Sequence, residues 1–145
     1  MSAPITIAEK ARVDTPALVC RIRHRLRPKR GYSPIAGEVE LKNTSSESLE
    51  IVTHMSPLQY LDLIVTDAAG NIVSESHYGN IFSPAERPFT VRIEPGESFV
   101  GPISFMGNVP HEKQLPGRYM VQAVFEYEKL RAVSEPHFVE LPLGS

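Results

Sequence analysis

The chain predicts an all-β fold, an antiparallel β-sandwich of two sheets, and three observations lead there. Apolar and polar residues alternate with period two along most segments. Turn residues (Gly, Pro, Asp, Asn) separate those segments at short intervals, and no window of a dozen residues carries an apolar stripe at helical spacing with a cap. Successive side chains on a strand point to opposite sides, so each such strand has one greasy face, and two sheets bury those faces against each other. About seven to ten strands are expected.

The elements follow in chain order. Residues 1 to 16, with Ile5 and Ile7 in phase, read as an N-terminal arm or an extra edge strand, and residues 17 to 145 as a single sandwich domain. From Ala17 to Arg27, Leu18, Cys20, Ile22, His24 and Leu26 share one face, and Val19, Arg21, Arg23, Arg25 and Arg27 the other. Wound as a helix, the same residues would scatter the arginines around every side, which favours a strand. Val39 and Leu41 face inward in the next strand, over 36 to 43, and Leu49 and Ile51 follow. Leu61, Leu63 and Val65 precede Asp67-Ala68-Ala69-Gly70-Asn71, whose chemistry suits a tight reversal, so 58 to 76 is expected to be a β-hairpin. Phe89, Val91 and Ile93 lead to Glu94-Pro95-Gly96-Glu97, with Pro second and Gly third as a type II turn requires. Phe99, Ile103 and Phe105 continue. After a long loop, Tyr119, Val121, Ala123, Phe125 and Tyr127 line the longest strand, and a last strand spans roughly 136 to 141.

The segment LPGRYMVQAVFEY, residues 115 to 127, resembles the penultimate strand of immunoglobulin-like domains, in which a Gly-x-Tyr-x-(apolar) run places the Tyr hydroxyl back onto the preceding turn. Gly117, Tyr119 and Val121 hold those positions; Val121 stands where antibody domains carry Cys. The resemblance implies an immunoglobulin-like sandwich. A longer series, LKNTSSESLEI (41 to 51), QYLDLIVTDAAGNIVSES (59 to 76), IF (81 to 82), IEPGESF (93 to 99) and LPGRYMVQAVF (115 to 125), is similar in order to the bacterial intracellular proteinase inhibitor family. That resemblance implies a protease inhibitor or regulator. The family commonly has a Trp after its hairpin and this chain contains none, so no inhibitory residue is carried over.

Composition narrows the class. Hydrophobic residues at 41%, charged residues at 22% and a net charge of −2 describe a water-soluble globular chain. The longest apolar runs, such as Leu63-Ile64-Val65, fall far short of the ~20 residues of a spanning helix, and MSAPITIAEKARV lacks the layout of a secretory signal. No membrane contact and a cytoplasmic location are therefore expected. Cys20, the one cysteine, reads as a small buried hydrophobe rather than a nucleophile. Outside a secretory pathway the Asn43-Thr44-Ser45 sequon has no glycan to carry.

The densest charge lies in RIRHRLRPKR, where Arg21, Arg23, Arg25, Arg27, Lys29 and Arg30 fill six of ten positions. On a strand the four alternating arginines form a straight row roughly 20 Å long, long enough to neutralise phosphates of a nucleic acid or other polyanion. Pairing with the strand at 36 to 43 would instead bring Glu38 and Glu40 onto the same face, with Glu126 and Glu128 as further partners. Nucleic-acid readers interleave aromatics, and the row has none before Tyr32, so a solvated, partly paired face is favoured.

Catalytic signatures are missing: no GxSxG, no phosphate loop and no carboxylate-pair motif, and no enzyme activity or cofactor is expected. His24, His54, His77, His111 and His137 have no metal-ligand spacing, so no metal is expected, and His24 reads as a hydrogen-bonded, half-buried ring. Asp62, between Leu61 and Leu63, reads as an outward residue able to pair with an arginine, against the alternative of a perturbed catalytic acid. Two long connections, 77 to 88 and 106 to 117, are the expected contact surface, with Tyr78, Ile81, Phe82, His111 and Lys113 as its residues. The expected function is a non-catalytic protein-binding module that presents sandwich loops to another protein. Its alternatives are a structural or accessory subunit joined through an exposed strand, and a polyanion binder using the arginine row.

Overall fold

The computed structural model describes residues 17–25, 34–81 and 87–142. The 1 to 16 arm, Arg27, Lys29, Arg30 and Phe82 lie outside the described residues. Nine strands are present among those described: β1 (Leu18–His24), β2 (Ala36–Asn43), β3 (Leu49–Thr53), β4 (Leu61–Thr66), β5 (Phe89–Ile93), β6 (Ser98–Ser104), β7 (Gly117–Tyr127), β8 (Leu130–Val133) and β9 (His137–Leu141). Short 3-10 turns at Pro57–Tyr60, Tyr78–Ile81 and His111–Lys113 supply the remaining regular structure. The fold is an all-β, immunoglobulin-like antiparallel sandwich.

One sheet runs β1-β2-β6; the other runs β4-β7, with β8 and β9 sharing the far edge of β7. Alternation decides what faces inward. Leu18, Cys20, Val39, Leu41 and Ile103 come from the first sheet, with Phe105 just past the end of β6, and Leu61, Leu63, Val65, Val121, Ala123, Phe125 and Val139 meet them from the second. Each fully buried aliphatic or aromatic side chain here contributes about 1.5–3 kcal/mol relative to exposure. Burial also raises the Cys20 thiol to about 12, which leaves it an inert core group.

A third, two-stranded ribbon, β3-β5, prolongs the β2-β6 ladder beyond a break. The break is built from turn chemistry on both chains. Gly96 has φ +82° and Glu97 N–H bonds Glu94 O at 2.9 Å, the type II geometry expected of Glu94-Pro95-Gly96-Glu97. Opposite it, fully buried Asn43 donates to Glu47 O and Ile93 O and accepts from the Ser45 amide and hydroxyl. Asn43 of the sequon is thus a buried hydrogen-bonding hub.

Two expectations need correction. The 58 to 76 segment forms its turn, with Gly70 at φ +90° and Asp67 Oδ1 accepting from the Ala69 and Asn71 amides, but the return strand is a single bridge, Thr66 to Ile72. Beyond it the chain is used for side-chain and loop contacts instead of a ladder. Strand β8 was not expected: it returns from β7 through Glu128 at φ +51°, without the Asn-Gly or Asp-Gly pair that announces such a turn. Between β8 and β9, residues 122–123 of β7 face 134–136, one extra residue on the outer chain. Ser134 fills the gap, its hydroxyl accepting from Ala123 N–H at 2.8 Å, and Pro136, which has no N–H, follows where the ladder is interrupted.

Candidate functional site

Of the two connections singled out from the sequence, the 106 to 117 loop packs with residues 72–78 along the outer edge of β4, whereas residues 82–86 of the 77 to 88 connection lie outside the described residues. Leu61, Leu63 and Val65 point their backbone groups away from β7, and every one of those groups named here has a non-strand partner. Leu61 N–H donates to Leu58 O, Leu63 N–H to Asp62 Oδ1 and Val65 N–H to Ser74 Oγ. Leu63 O accepts from Asn108 Nδ2 and Val65 O from Val73 N–H. Asn108 also donates to Ser76 O, Glu75 N–H donates to Asn108 O at 2.7 Å, and Lys113 pairs with Glu75 at 2.7 Å. The 72–78 and 106–113 segments therefore form one sewn surface that closes an edge which would otherwise invite another strand.

Asp62 belongs to this stitching. Its Oδ1 accepts from the amides of Leu63 and Tyr78 and lies 3.4 Å from Asn108 Nδ2. No arginine among the described residues pairs with it; the loop that folds over β4 supplies its partners instead.

Tyr78 is corrected from a contact residue to a core residue. It is 1% exposed, and its hydroxyl accepts from Ser104 N–H at 2.8 Å, which ties the 3-10 turn to β6. Burial pushes its phenol up, against the lowering effect of that hydrogen bond. The turn can enter so deeply because Gly79 lies on the Gln59 backbone, where a Cβ would stand 2.3 Å from the carbonyl oxygen. Ile81 ends the same turn. His111 and Lys113 are exposed on a turn held from beneath. Tyr119 supplies that support, its hydroxyl reaching Leu115 O at 2.6 Å and Lys113 O at 3.2 Å. This is the back-bonded tyrosine that the Gly-x-Tyr resemblance implies.

Beside that surface, the hairpin 66–72 is rimmed by large apolar side chains left in water: Ile72 at 64% exposure, Leu115 at 62% and Phe138 at 51%. Two clefts flank its tip. One, of about 460 Å³, is lined by Thr66, Gly70, Arg118, Met120 and Phe138; the other, of about 200 Å³, by Ala69, Leu115, Pro116 and Arg118. Arg118 stands between them, its guanidinium carbon 4.2 Å from the Phe138 ring centroid. Sequence reading missed Ile72, Arg118 and Phe138. Phe138 was detectable as an aromatic in the outward phase of β9, whereas its approach to Arg118 needs the β7-β9 register.

The arginine row behaves as an outer sheet face. Arg21 opposes Glu40 and Arg23 opposes Glu38 across β1 and β2. The Arg23 guanidinium reaches Glu38 at 3.3 Å and Glu40 at 3.8 Å, with the Arg23 side chain 52% exposed. Among the described residues Glu126 pairs with Arg131, at 3.7 Å on the other sheet, and not with the row. No group of three or more His, Cys, Asp or Glu among the described residues is placed to hold a metal. No helix among them is long and apolar enough to cross a membrane.

No family model matches this chain, and no curated protein matches it. Among solved structures it is similar to a β-glucosidase from Erythrobacter marinus, at 14% identity and a TM-score of 0.31, over 81% of this chain and 16% of that one. The chain thus spans a small part of that enzyme's length, and a likeness of that size bears on neither its fold nor its chemistry.

Proposed function

We propose that this chain is a non-catalytic protein-binding module whose contact surface is the hairpin 66–72 with the adjoining Leu115 and Phe138. The observation that carries the reading is that Leu115 and Phe138 line clefts beside a turn that also bears Ile72, all three half exposed or more, with the turn's backbone held by Asp67 and its neighbour held by Tyr119. Large apolar side chains on a preordered loop favour association, because little conformational freedom remains to be lost on binding. The order of motifs shared with the intracellular proteinase inhibitors supports a protease regulator as the finer form of this reading.

The test is affinity capture from the native host with the whole chain. A partner retained by the wild type and by Arg21→Glu/Arg25→Glu, and released by Leu115→Asp, supports the reading. A partner lost with the arginine substitutions and kept by Leu115→Asp overturns it. Dose-dependent loss of activity in a panel of bacterial intracellular proteinases tests the finer form.

Strand addition has less support. The β4 edge is stitched shut, and the β6 edge carries Pro102, without an N–H, next to Ser104, whose N–H is taken by Tyr78. The polyanion reading has less support too, since Arg23, at the middle of the described row, is shared by two glutamates.

A further inference from the structure

We infer that the cleft beside Arg118 takes an extended acidic peptide, with one carboxylate on the guanidinium edge and flanking apolar side chains against Leu115 and Met120. The inference rests on the protein-binding reading above and names the chemistry of the partner segment.

Arg118 lies directly across from Glu140 in the β7-β9 register, yet no ion pair joins them among the described residues. The guanidinium leans diagonally onto Phe138 instead, at 4.2 Å from the ring centroid. Such stacking occupies the flat face of the group and leaves its in-plane N–H donors free, the ones that bind a carboxylate in pairs. Asp67, the acid that lines both clefts with Arg118, is spent on its own turn. Its carboxylate accepts from Ala69 N–H and Asn71 N–H, and hydrogen bonding from Asn71 first of all holds it below the usual carboxylate range.

Charge narrows the occupant. Among the described residues lining the clefts Arg118 is the one cation, and with Asp67 and Glu140 bordering it the site suits one carboxylate between uncharged neighbours, whereas a polyanion would set further negative charges against those two acids. The clefts on either side of Arg118, about 460 Å³ and 200 Å³, have room for the side chains before and after that carboxylate. Arg118 is already held by Phe138, so less freedom is lost on binding.

The test is a backbone amide NMR titration of the whole chain with a terminally blocked Leu-Glu-Leu peptide, alongside Leu-Gln-Leu. The Glu peptide is expected to shift the amides of residues 67–70, 117–120 and 138. Binding should weaken about tenfold for the Gln peptide, and about tenfold for Arg118→Gln, the loss of one charge-assisted pair. Unmoved resonances elsewhere in the variant establish that it is folded. Equal binding of the two peptides, wild-type binding by Arg118→Gln, or stronger shifts at the same amides with a short duplex DNA overturns the inference. A captured partner that Leu115→Asp releases and Arg118→Gln keeps overturns this inference while leaving the binding module intact; one that Leu115→Asp keeps removes both.

Discussion

The Nε2 of His137 lies 2.8 Å from the Nδ1 of His24, a hydrogen bond that joins β9 of one sheet to β1 of the other. The Pro34 carbonyl, 3.2 Å from His24 Nε2, can only accept, so in the neutral pair His24 carries its proton on Nε2 and His137 donates to the bare Nδ1. Phe105 stacks on His137 at 5.2 Å and meets His24 edge-on at 5.0 Å. Gly37 makes room for that ring, since a Cβ there would stand 2.4 Å from it.

His137 makes stability depend on pH with a definite sign. Burial first, and then the neighbouring His24, hold His137 below its ordinary value of 6.5. The unfolded chain therefore binds the proton more readily than the folded one. The contribution is fully present above about pH 6.5 and is lost as the pH falls through that value, levelling off once the folded His137 is also protonated. The thermal unfolding midpoint should drop between roughly pH 7.5 and pH 5, and His137→Gln should flatten that drop. Equal slopes for variant and wild type would refute the assignment.

Tyr78 is a stability residue. Removing its ring in Tyr78→Ala should cost about 3–5 kcal/mol in urea unfolding, as for other large buried aromatics. Tyr78→Phe, which keeps the ring and removes the acceptor from Ser104 N–H, should cost about 1 kcal/mol. A Tyr78→Ala protein with wild-type stability would return the residue to the contact surface.

Tyr60 and Tyr127 close another edge. Tyr60 donates to Val52 O at 2.5 Å, and Tyr127 accepts from Val52 N–H at 3.2 Å, so both outward backbone groups of this β3 residue are satisfied by side chains. The two rings lie 4.7 Å apart. Tyr60→Phe with Tyr127→Phe should lower stability by about 1–2 kcal/mol and raise self-association, measured by light scattering, because the exposed strand regains its pairing groups. A monodisperse double variant of unchanged stability contradicts that role.

Arg23 tests the outer face of the first sheet. Its pairs with Glu38 and Glu40 are largely solvated, so Arg23→Gln should change stability by roughly 0.2–1 kcal/mol, an effect that fades as salt screens the pairs. A loss of several kcal/mol persisting at high salt would mean that the arginine packs rather than pairs.

Alternation in the chain determined the sheets and much of the core: the inward sets of β1, β2, β4 and β7 are legible because a strand must turn every second side chain the same way. Local turn chemistry was equally legible at Glu94-Pro95-Gly96-Glu97 and around Asp67, where short-range hydrogen bonds and Gly φ decide the outcome. The Arg23 pairing with Glu38 and Glu40 followed from strand order and phase alone. Tertiary structure alone decided that Tyr78 plugs the core and that Asp62 binds backbone amides, since both depend on how the 72–81 segment folds over β4. It also decided that Arg118 leans on Phe138, because the register between β7 and β9 brings together residues twenty positions apart. Period two tells which face a side chain takes; only the packing of one strand or loop against another tells what it meets there.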